Sequence, residues 1–500
     1  MHIIHITSEL APLAKVGGLA DVVLGLSREL SWKGHQVDII LPKYDCMDKE
    51  QVRDLTIDTK ELFSFYDGQW YANTVWVGFV ENLKVYFIEP HHPRSFFDRN
   101  CFYGCEDDLE RFLYFSRAAL EFLYKKSIQP HILHLHDWQA AAIAPLYKEM
   151  YQKIGYTKPK IVFTIHNMAY QGKCASHDLN RIGLEGSFFH TPALLQDNEN
   201  ANLVNLLKGG IVYCDFVTTV SPTYAKEVLS AEGGKGLQQT LLLYKEKFKG
   251  ILNGIDYSYW NPEIDRFLPF HFSFREKEKH HQIDSPLSNK ELIKNALREK
   301  LCLAKDHRPL VGCIARLVPQ KGIDLIYHTI DQIAEKKGQF VLLGTSPIPA
   351  IHEEFHRLKN HYAHHPHVRL VLHHEEELAH LIYAGCDLFI VPSLFEPCGL
   401  TQMIALKYGT IPVVRRTGGL ADTIVDVDQS GKPFEKTNGY LFDAPDSFSL
   451  DLALDRAIHC WFADPEKWRR LMINGMQIDF SWNQPSNLYL SSYEELQSNS

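Results

Sequence analysis

Arg316 and Lys321 lie in the segment ARLVPQKG, between the apolar run VGCI and a stretch with helical periodicity. A loop there would hold a rigid bidentate donor beside a mobile point charge, a pair suited to clamping a pyrophosphate whose charge grows during a reaction. Glu396 precedes Pro397, Cys398 and the run GLTQMIALKYG, which is expected to be helical with the N–H groups of Gly399, Leu400 and Thr401 open to an acceptor. A carboxylate at that point suits a sugar's hydroxyls or a developing cation. The phrase KVGGLAD at 15–21 returns as RTGGLAD at 416–422. Gly17 and Gly18, and again Gly418, would let backbone N–H groups approach an anion at a helix N-terminus, with Lys15, Arg415 and Arg416 adding charge. In HLHDW and TIHNMAY, His136, Asp137, His166 and Asn167 fall at the ends of predicted strands, as polar groups lining a cleft. Each feature also has a plain structural reading: a capping turn, solvated cations, a helix-dipole partner. Neither Gly-Gly loop matches GxGxxG or GxxxxGK[ST], which argues against a hydride cofactor and against a P-loop.

The elements that must carry these residues read as two βαβ halves. Continuous apolar runs (HIIHIT, QVDIILP, KVYFIE, HILHLH, KIVFTIH and FVTTVS, then PLVGCIA, QFVLLG, VRLVLH, DLFIVPS, IPVVRR and GYLF) predict parallel strands covered on both faces. The stretch LADVVLGLSRELSWKG predicts a helix closed by Gly34, and LADTIVDV a second helix opened by the later Gly-Gly loop. In doubly wound sheets, ligands bind beyond the carboxyl ends of the strands, where these candidate residues are placed. The expected fold class is α/β, with a first domain at 1–260, a second at 261–480, and an aromatic segment at 481–500 packing back on the first. The polar stretch at roughly 270–291 reads as a linker or surface loop.

Composition agrees with an enzyme of this kind. With 45% apolar residues and a net charge of −9, the chain has no general basic surface for nucleic acid or anionic lipid, so any anion must be gripped locally. Ten cysteines without a CxxC pair suit reduced thiols. The N-terminal run MHIIHITSELAP reads as a strand rather than a secretion signal, and a cytoplasmic location is expected. HLHD and the His-rich run at 361–374 could bind metal, but no spacing completes a site, so no metal and no cofactor are expected.

Taken in order, KVGGLADV, HLHDWQ, FTIHN, NGID, ARLVPQKG, EPCGLTQ and RRTGGLADT resemble the bacterial and plant glycogen/starch synthase family nearly end to end. That resemblance implies the GT-B architecture: two facing Rossmann-like domains with a cleft between them, the sugar nucleotide mainly on the second and the acceptor on the first. It implies transfer of glucose from ADP-glucose to the nonreducing end of an α-1,4-glucan such as glycogen, with retention and without a metal. Lys15 and Gly18 would then contact the phosphates, and Arg316 and Lys321 the distal phosphate. Asp21, Asp137, His166, Asn167 and Asn253 would line the sugar and acceptor subsites. Glu396 would hold glucose hydroxyls, backed by the N–H groups of Cys398, Gly399 and Leu400. Thr417 and Gly418 would neighbour the diphosphate, and Tyr103 would stack on the nucleotide.

The chain departs from the pattern at Leu394, where many members carry arginine, and mildly at Val16. Competing readings are a UDP-glucose-dependent relative, a noncatalytic glucan-binding protein and a metal-dependent hydrolase.

Overall fold

The computed structural model describes residues 1–274, 277–279, 282–284, 288–333 and 335–498, and divides into two units: Met1–Gly254 with Trp482–Ser500, and Ile255–Ser481. Within the expected linker at 270–291, residues 275–276, 280–281 and 285–287 lie outside the described residues, as do the last two residues of the C-terminal segment; of the described part, Lys277–Lys279 pairs antiparallel with Gln282–Asp284 and a helix starts at Ser288.

In the first unit the sheet has nine strands, in the spatial order Phe248–Gly250, Phe216–Thr219, Lys160–Ile165, Ile132–His136, His2–Ile6, Gln36–Pro42, Leu83–Pro90, Gln69–Val80 and Arg53–Tyr66. The first seven are mutually parallel, and the last two form a hairpin on the edge. His2–Ile6 and Ile132–His136 are neighbours, and strand order reverses between them. That makes their carboxyl ends the topological switch point, where helices on opposite faces leave a crevice. Helix Gly18–Trp32 follows the first of these strands. Its C-terminus closes at Gly34, whose φ of 87° is the left-handed conformation a chain-reversing cap requires. Helix Asn483–Ser498 also belongs to this unit, where the Tyr493 hydroxyl lies 2.8 Å from His134 Nδ1.

The second unit has six parallel strands in the order Val368–Val371, Gln339–Thr345, Leu310–Arg316, Leu388–Val391, Ile411–Arg415 and Tyr440–Phe442. Counted along the chain this is 3-2-1-4-5-6, the doubly wound order, with its switch point between Leu310–Arg316 and Leu388–Val391. Buried valine, leucine, isoleucine and phenylalanine fill these strands, as the continuous apolar runs require. Residues 255–260, assigned above to the first domain, instead pack in this unit. Trp260 stacks on His380 at 4.2 Å, and the Tyr259 hydroxyl donates to Glu376 at 2.6 Å. The helix after the second Gly-Gly loop is shorter than expected, Gly418–Thr423 only. Val425 N–H turns to the Asn438 side chain, and Asp426 accepts the Leu441 N–H, so these residues join the edge of the sheet.

No helix among the described residues is long and apolar enough to cross a membrane.

Candidate active site

At the second unit's switch point three strand-end loops are laced together. Arg316 ends the first strand and is exposed. Lys321 closes the single turn Pro319–Lys321, after which Gly322 turns into helix Ile323–Gln332 with φ 71°. A Cβ on Gly322 would stand 2.1 Å from the Pro392 carbonyl oxygen, so glycine is required for this loop to meet the one after the fourth strand. Leu394 N–H donates to the Gln320 carbonyl at 2.8 Å. Lys321 Nζ lies 2.6 Å from Glu396 Oε2, which also accepts from Ser393 Oγ at 2.8 Å. Glu396 is 5% exposed, and Lys321 compensates its charge.

The third loop carries RTGGLAD. Gly419 N–H donates to the Glu396 carbonyl at 3.1 Å. Cβ atoms built on Gly418 and Gly419 would lie 1.9 Å from Glu396 O and 2.1 Å from Cys398 O. These glycines let two backbones touch, and so fix the Glu396 loop. Thr417 is buried beside them. The two arginines serve the same scaffold: Arg415 donates to the carbonyls of Asp443 and Leu394, and Arg416 pairs with Asp443 at 2.7 Å. Helix Thr401–Lys407 starts just beyond, with Gly399 at φ 71° and Cys398 buried. The Leu394 side chain is 44% exposed, so it leaves the packing of this loop to its backbone.

The first unit builds its switch point differently. Around Gly17 a Cβ would meet nothing within 4 Å. The loop's amides are nonetheless engaged, because Val16 and Gly17 both donate to Glu9 Oε2, at 2.9 and 3.0 Å. For Gly17 the expectation of an N–H open to an external anion is therefore corrected: the protein's own carboxylate takes it. Glu9 also accepts the Tyr103 hydroxyl at 2.9 Å, and Ser8 Oγ lies 2.8 Å from that oxygen. Burial raises the Glu9 pKa, opposed by these three donors. Tyr103 is thus a strut of the Gly-Gly loop, its ring tilted against Phe112. Lys15 pairs with Asp21 at 2.9 Å across the start of the helix.

The other strand ends of this sheet carry Asp137, His166, Asn167 and Asn253. Asp137 has φ 56°, in the left-handed region, and its carboxylate accepts the His166 N–H at 2.7 Å and the Asn167 N–H. Burial pushes its pKa up to about 7 despite these bonds. The Asn167 side chain accepts from Ala169 N–H, and Asn253 is buried with Oδ1 lacking a hydrogen-bond partner.

Behind His166 runs a string of rings. Nδ1 of His5 is 2.9 Å from Nε2 of His136, and Nδ1 of His136 is 3.0 Å from Nε2 of His166. Burial pushes His5 and His166 down to about 3 and His136 well below its usual value, so each ring is neutral, with one N–H and one lone pair. Such a string has two proton orders. One would leave a buried N–H on His5 Nε2, an atom without a partner, which is the costlier orphan. The other sends protons from His5 toward His166, so that His166 presents Nδ1–H as a donor. Among the described residues, His5, His134 and His136 are also the group whose ligand atoms gather within 4.8 Å. In a zinc tetrahedron, bonds of about 2.0–2.1 Å hold nitrogens roughly 3.3 Å apart. The 2.9 Å between His5 and His136 is instead the distance of one shared proton.

Glu9, Ser393 and His5 carry no spacing signal in the sequence, because each acts on a residue brought to it by the fold.

Comparison with known proteins agrees with this fold. Residues 2–242 match the starch synthase catalytic domain model, and residues 295–475 match glycosyl transferases group 1. The chain is 72% identical over 496 residues to a glycogen synthase of Protochlamydia amoebophila, covering 99% of each. It is 50% identical over 498 residues to a probable starch synthase 4 of Arabidopsis thaliana, covering 99% of this chain and 46% of that one. The crystallised catalytic domain of Arabidopsis starch synthase IV, bound to ADP and acarbose, superimposes with a TM-score of 0.95 at 49% identity over 99% of both chains. A sucrose-phosphate synthase of Thermosynechococcus elongatus shares the fold, with a TM-score of 0.61 at 18% identity over 100% of both chains. Two doubly wound units with these matches leave one assignment: the chain belongs to the glycogen/starch synthase family of GT-B glycosyltransferases.

Proposed function

We propose that this enzyme transfers glucose from ADP-glucose to the nonreducing end of an α-1,4-glucan, glycogen in its natural setting, with retention of configuration. The observation that carries the reading is the Lys321–Glu396 pair, 2.6 Å apart at the second unit's switch point beside the exposed Arg316. The starch synthase IV catalytic domain was crystallised with ADP and acarbose, and its 49% identity supports a nucleotide sugar and a glucan as substrates here.

When the anomeric C–O bond breaks, negative charge grows on the departing diphosphate and positive charge on the sugar ring. Arg316 and Lys321 offset the first. As Lys321 turns to phosphate, Glu396 is released toward the glucose hydroxyls, beside the amides of Cys398, Gly399, Leu400 and Thr401. Thr417 and Gly418 lie beside the diphosphate. Of the first unit's residues, Lys15 and Gly18 are assigned to the donor, and Tyr103 to holding the loop that carries them. Asp21, Asp137, Asn167 and Asn253 line the sugar subsites, and His166 donates Nδ1–H to a sugar hydroxyl. Glu396 is paired with Lys321, and Asp137 is occupied by two N–H groups. Neither carboxylate is poised as a nucleophile, which favours front-face attack assisted by the leaving phosphate. No metal, cofactor, nucleic acid or membrane enters this scheme, and the enzyme works in the cytoplasm.

The test is incubation of the purified chain with glycogen and either ADP-glucose or UDP-glucose, each with EDTA. Extension of α-1,4 chains from ADP-glucose, undiminished by the chelator, is expected. No extension, extension from UDP-glucose alone, or loss of activity in EDTA would overturn the reading.

A further inference from the structure

The segment between Leu83–Pro90 and helix Asp108–Lys125 holds two cysteines that the proposed chemistry does not use. Cys101 Sγ and Cys105 Sγ are 3.2 Å apart, both partly exposed, in non-helical chain that can adjust without breaking a helix. Of the other free thiols, Cys174, Cys214, Cys313, Cys386, Cys398 and Cys460 are buried, whereas Cys46 is half-buried and Cys302 exposed, each without a second cysteine beside it in the chain. A disulfide needs an S–S separation of about 2.05 Å, so roughly 1 Å of approach would close this pair. Burial and the adjacent thiol raise the Cys101 pKa, whereas the Arg99 guanidinium, paired with Asp107, also faces the Cys105 thiol.

Between the two cysteines lies Tyr103, whose hydroxyl donates to Glu9, the carboxylate that holds the Val16 and Gly17 amides. The rest of the segment is anchored: Phe102 O accepts from Arg111, and the Gly104 and Cys105 N–H groups donate to Asp108. Drawing 101 and 105 together against these anchors must displace what lies between them.

We infer that Cys101 and Cys105 form a reversible disulfide that loosens the Gly-Gly loop at 15–18 by drawing Tyr103 away from Glu9. The oxidant is a low-molecular-weight disulfide. One cysteine of the pair, as its thiolate, attacks one of its sulfurs, forming a mixed disulfide and expelling one thiolate. The other cysteine, having lost its proton to solvent, attacks the first cysteine's sulfur and expels the second. Two protein thiols are oxidised by two electrons, and one small disulfide is reduced to two thiols. That the loop serves the donor rests on the function proposed above, whereas the disulfide and its effect on the loop do not.

The experiment equilibrates the full chain in oxidised or reduced glutathione buffers, alkylates it, and maps peptides by mass. In parallel it measures amide hydrogen exchange over residues 10–19. In the oxidised buffer the peptide holding both cysteines should be two hydrogen masses lighter and unalkylated, with dithiothreitol reversing this. Exchange at 10–19 should rise by about fivefold or more, on the scale of one weakened hydrogen bond. In Cys101→Ser the oxidant-dependent rise should vanish. Alkylation of both thiols in the oxidised buffer would overturn the inference, and so would a disulfide that leaves exchange unchanged. Glucosyl transfer measured on the same samples reports on the proposed function separately: a slowed loop-opened enzyme supports the donor role, and an inactive reduced enzyme counts against that role alone.

Discussion

KVGGLAD and RTGGLAD are nearly one phrase, yet their glycines answer different demands. Around Gly17 there is open space, and the loop is shaped by a buried glutamate that collects its amides. Around Gly418 and Gly419 there is none: a Cβ on either would collide with backbone oxygens of the 396–398 segment. The first loop is held in shape by Glu9 and Tyr103. The second is a wedge that fixes Glu396 opposite Lys321. Identical letters therefore report a shared turn into a helix, and the neighbours decide what the turn is for.

The comparison breaks most sharply at the site that the wedge supports. Lys321→Ala is expected to lower turnover by about 10²-fold or more, as for a charge aimed at a leaving group. It also leaves the buried Glu396 carboxylate with the Ser393 hydroxyl in place of a cation, so it should cost stability as well. Glu396→Gln should lower turnover comparably with a smaller shift in melting temperature. The double variant should recover part of the stability lost in Lys321→Ala and none of the turnover.

Next in size is the glycine contrast itself. Gly419→Ala must push apart two backbones and should destabilise the second unit by about 1–3 kcal/mol, with a fall in kcat. Gly17→Ala should change melting by less than about 0.5 kcal/mol, the range of substitutions without a structural conflict. Equal effects of the two substitutions would erase the distinction. Glu9→Gln is expected to be smaller still. It keeps an acceptor but loses the charge that gathers three donors, so the donor KM should rise severalfold with little change in kcat, as read by steady-state kinetics.

The two units should also part company in pH. His5, His134, His136 and His166 have pKa values lowered by burial. Their contribution to stability is complete above about 6.5, the unfolded value, and is lost as pH falls through that value toward 3. Asp137 and Glu9, both raised by burial, act in the opposite sense, but are two against four. In the second unit burial opposes charge on His380, yet its hydrogen bond to Asp265 and the Glu376 carboxylate 3.7 Å away outweigh that and raise its pKa. Its contribution is present below about 6.5 and is lost as pH rises through the raised value. Amide exchange corrected for intrinsic pH dependence should show protection of 132–136 falling between pH 7 and 5.5, while that of 376–385 holds or rises. A common trend in both would contradict the assignment of neutral and charged histidines.

Much of this architecture was legible in the chain. Strands buried on both faces are written as unbroken apolar runs, which is why every strand of the second sheet could be read directly. The edge hairpin Arg53–Tyr66 with Gln69–Val80 was not, although Asp67 and Gly68, with φ 51° and 78°, form the Asp-Gly turn that announces such a hairpin. Register shifts along its strands interrupt the alternation that would have revealed it. At the site, the cations and Glu396 stand in motifs, whereas Glu9 and His5 stand in none. His5 meets its string only because the sheet sets it beside His134, more than a hundred residues away. Side chains whose partners arrive through strand pairing leave no local trace.

The proposed transfer requires the donor's diphosphate to be held at the second unit's switch point by Lys321. Calorimetric titration of ADP into the wild-type chain and Lys321→Ala measures this directly. Loss of a charged hydrogen bond predicts affinity lower by about tenfold or more in the variant. An unchanged dissociation constant in a folded Lys321→Ala protein would contradict it.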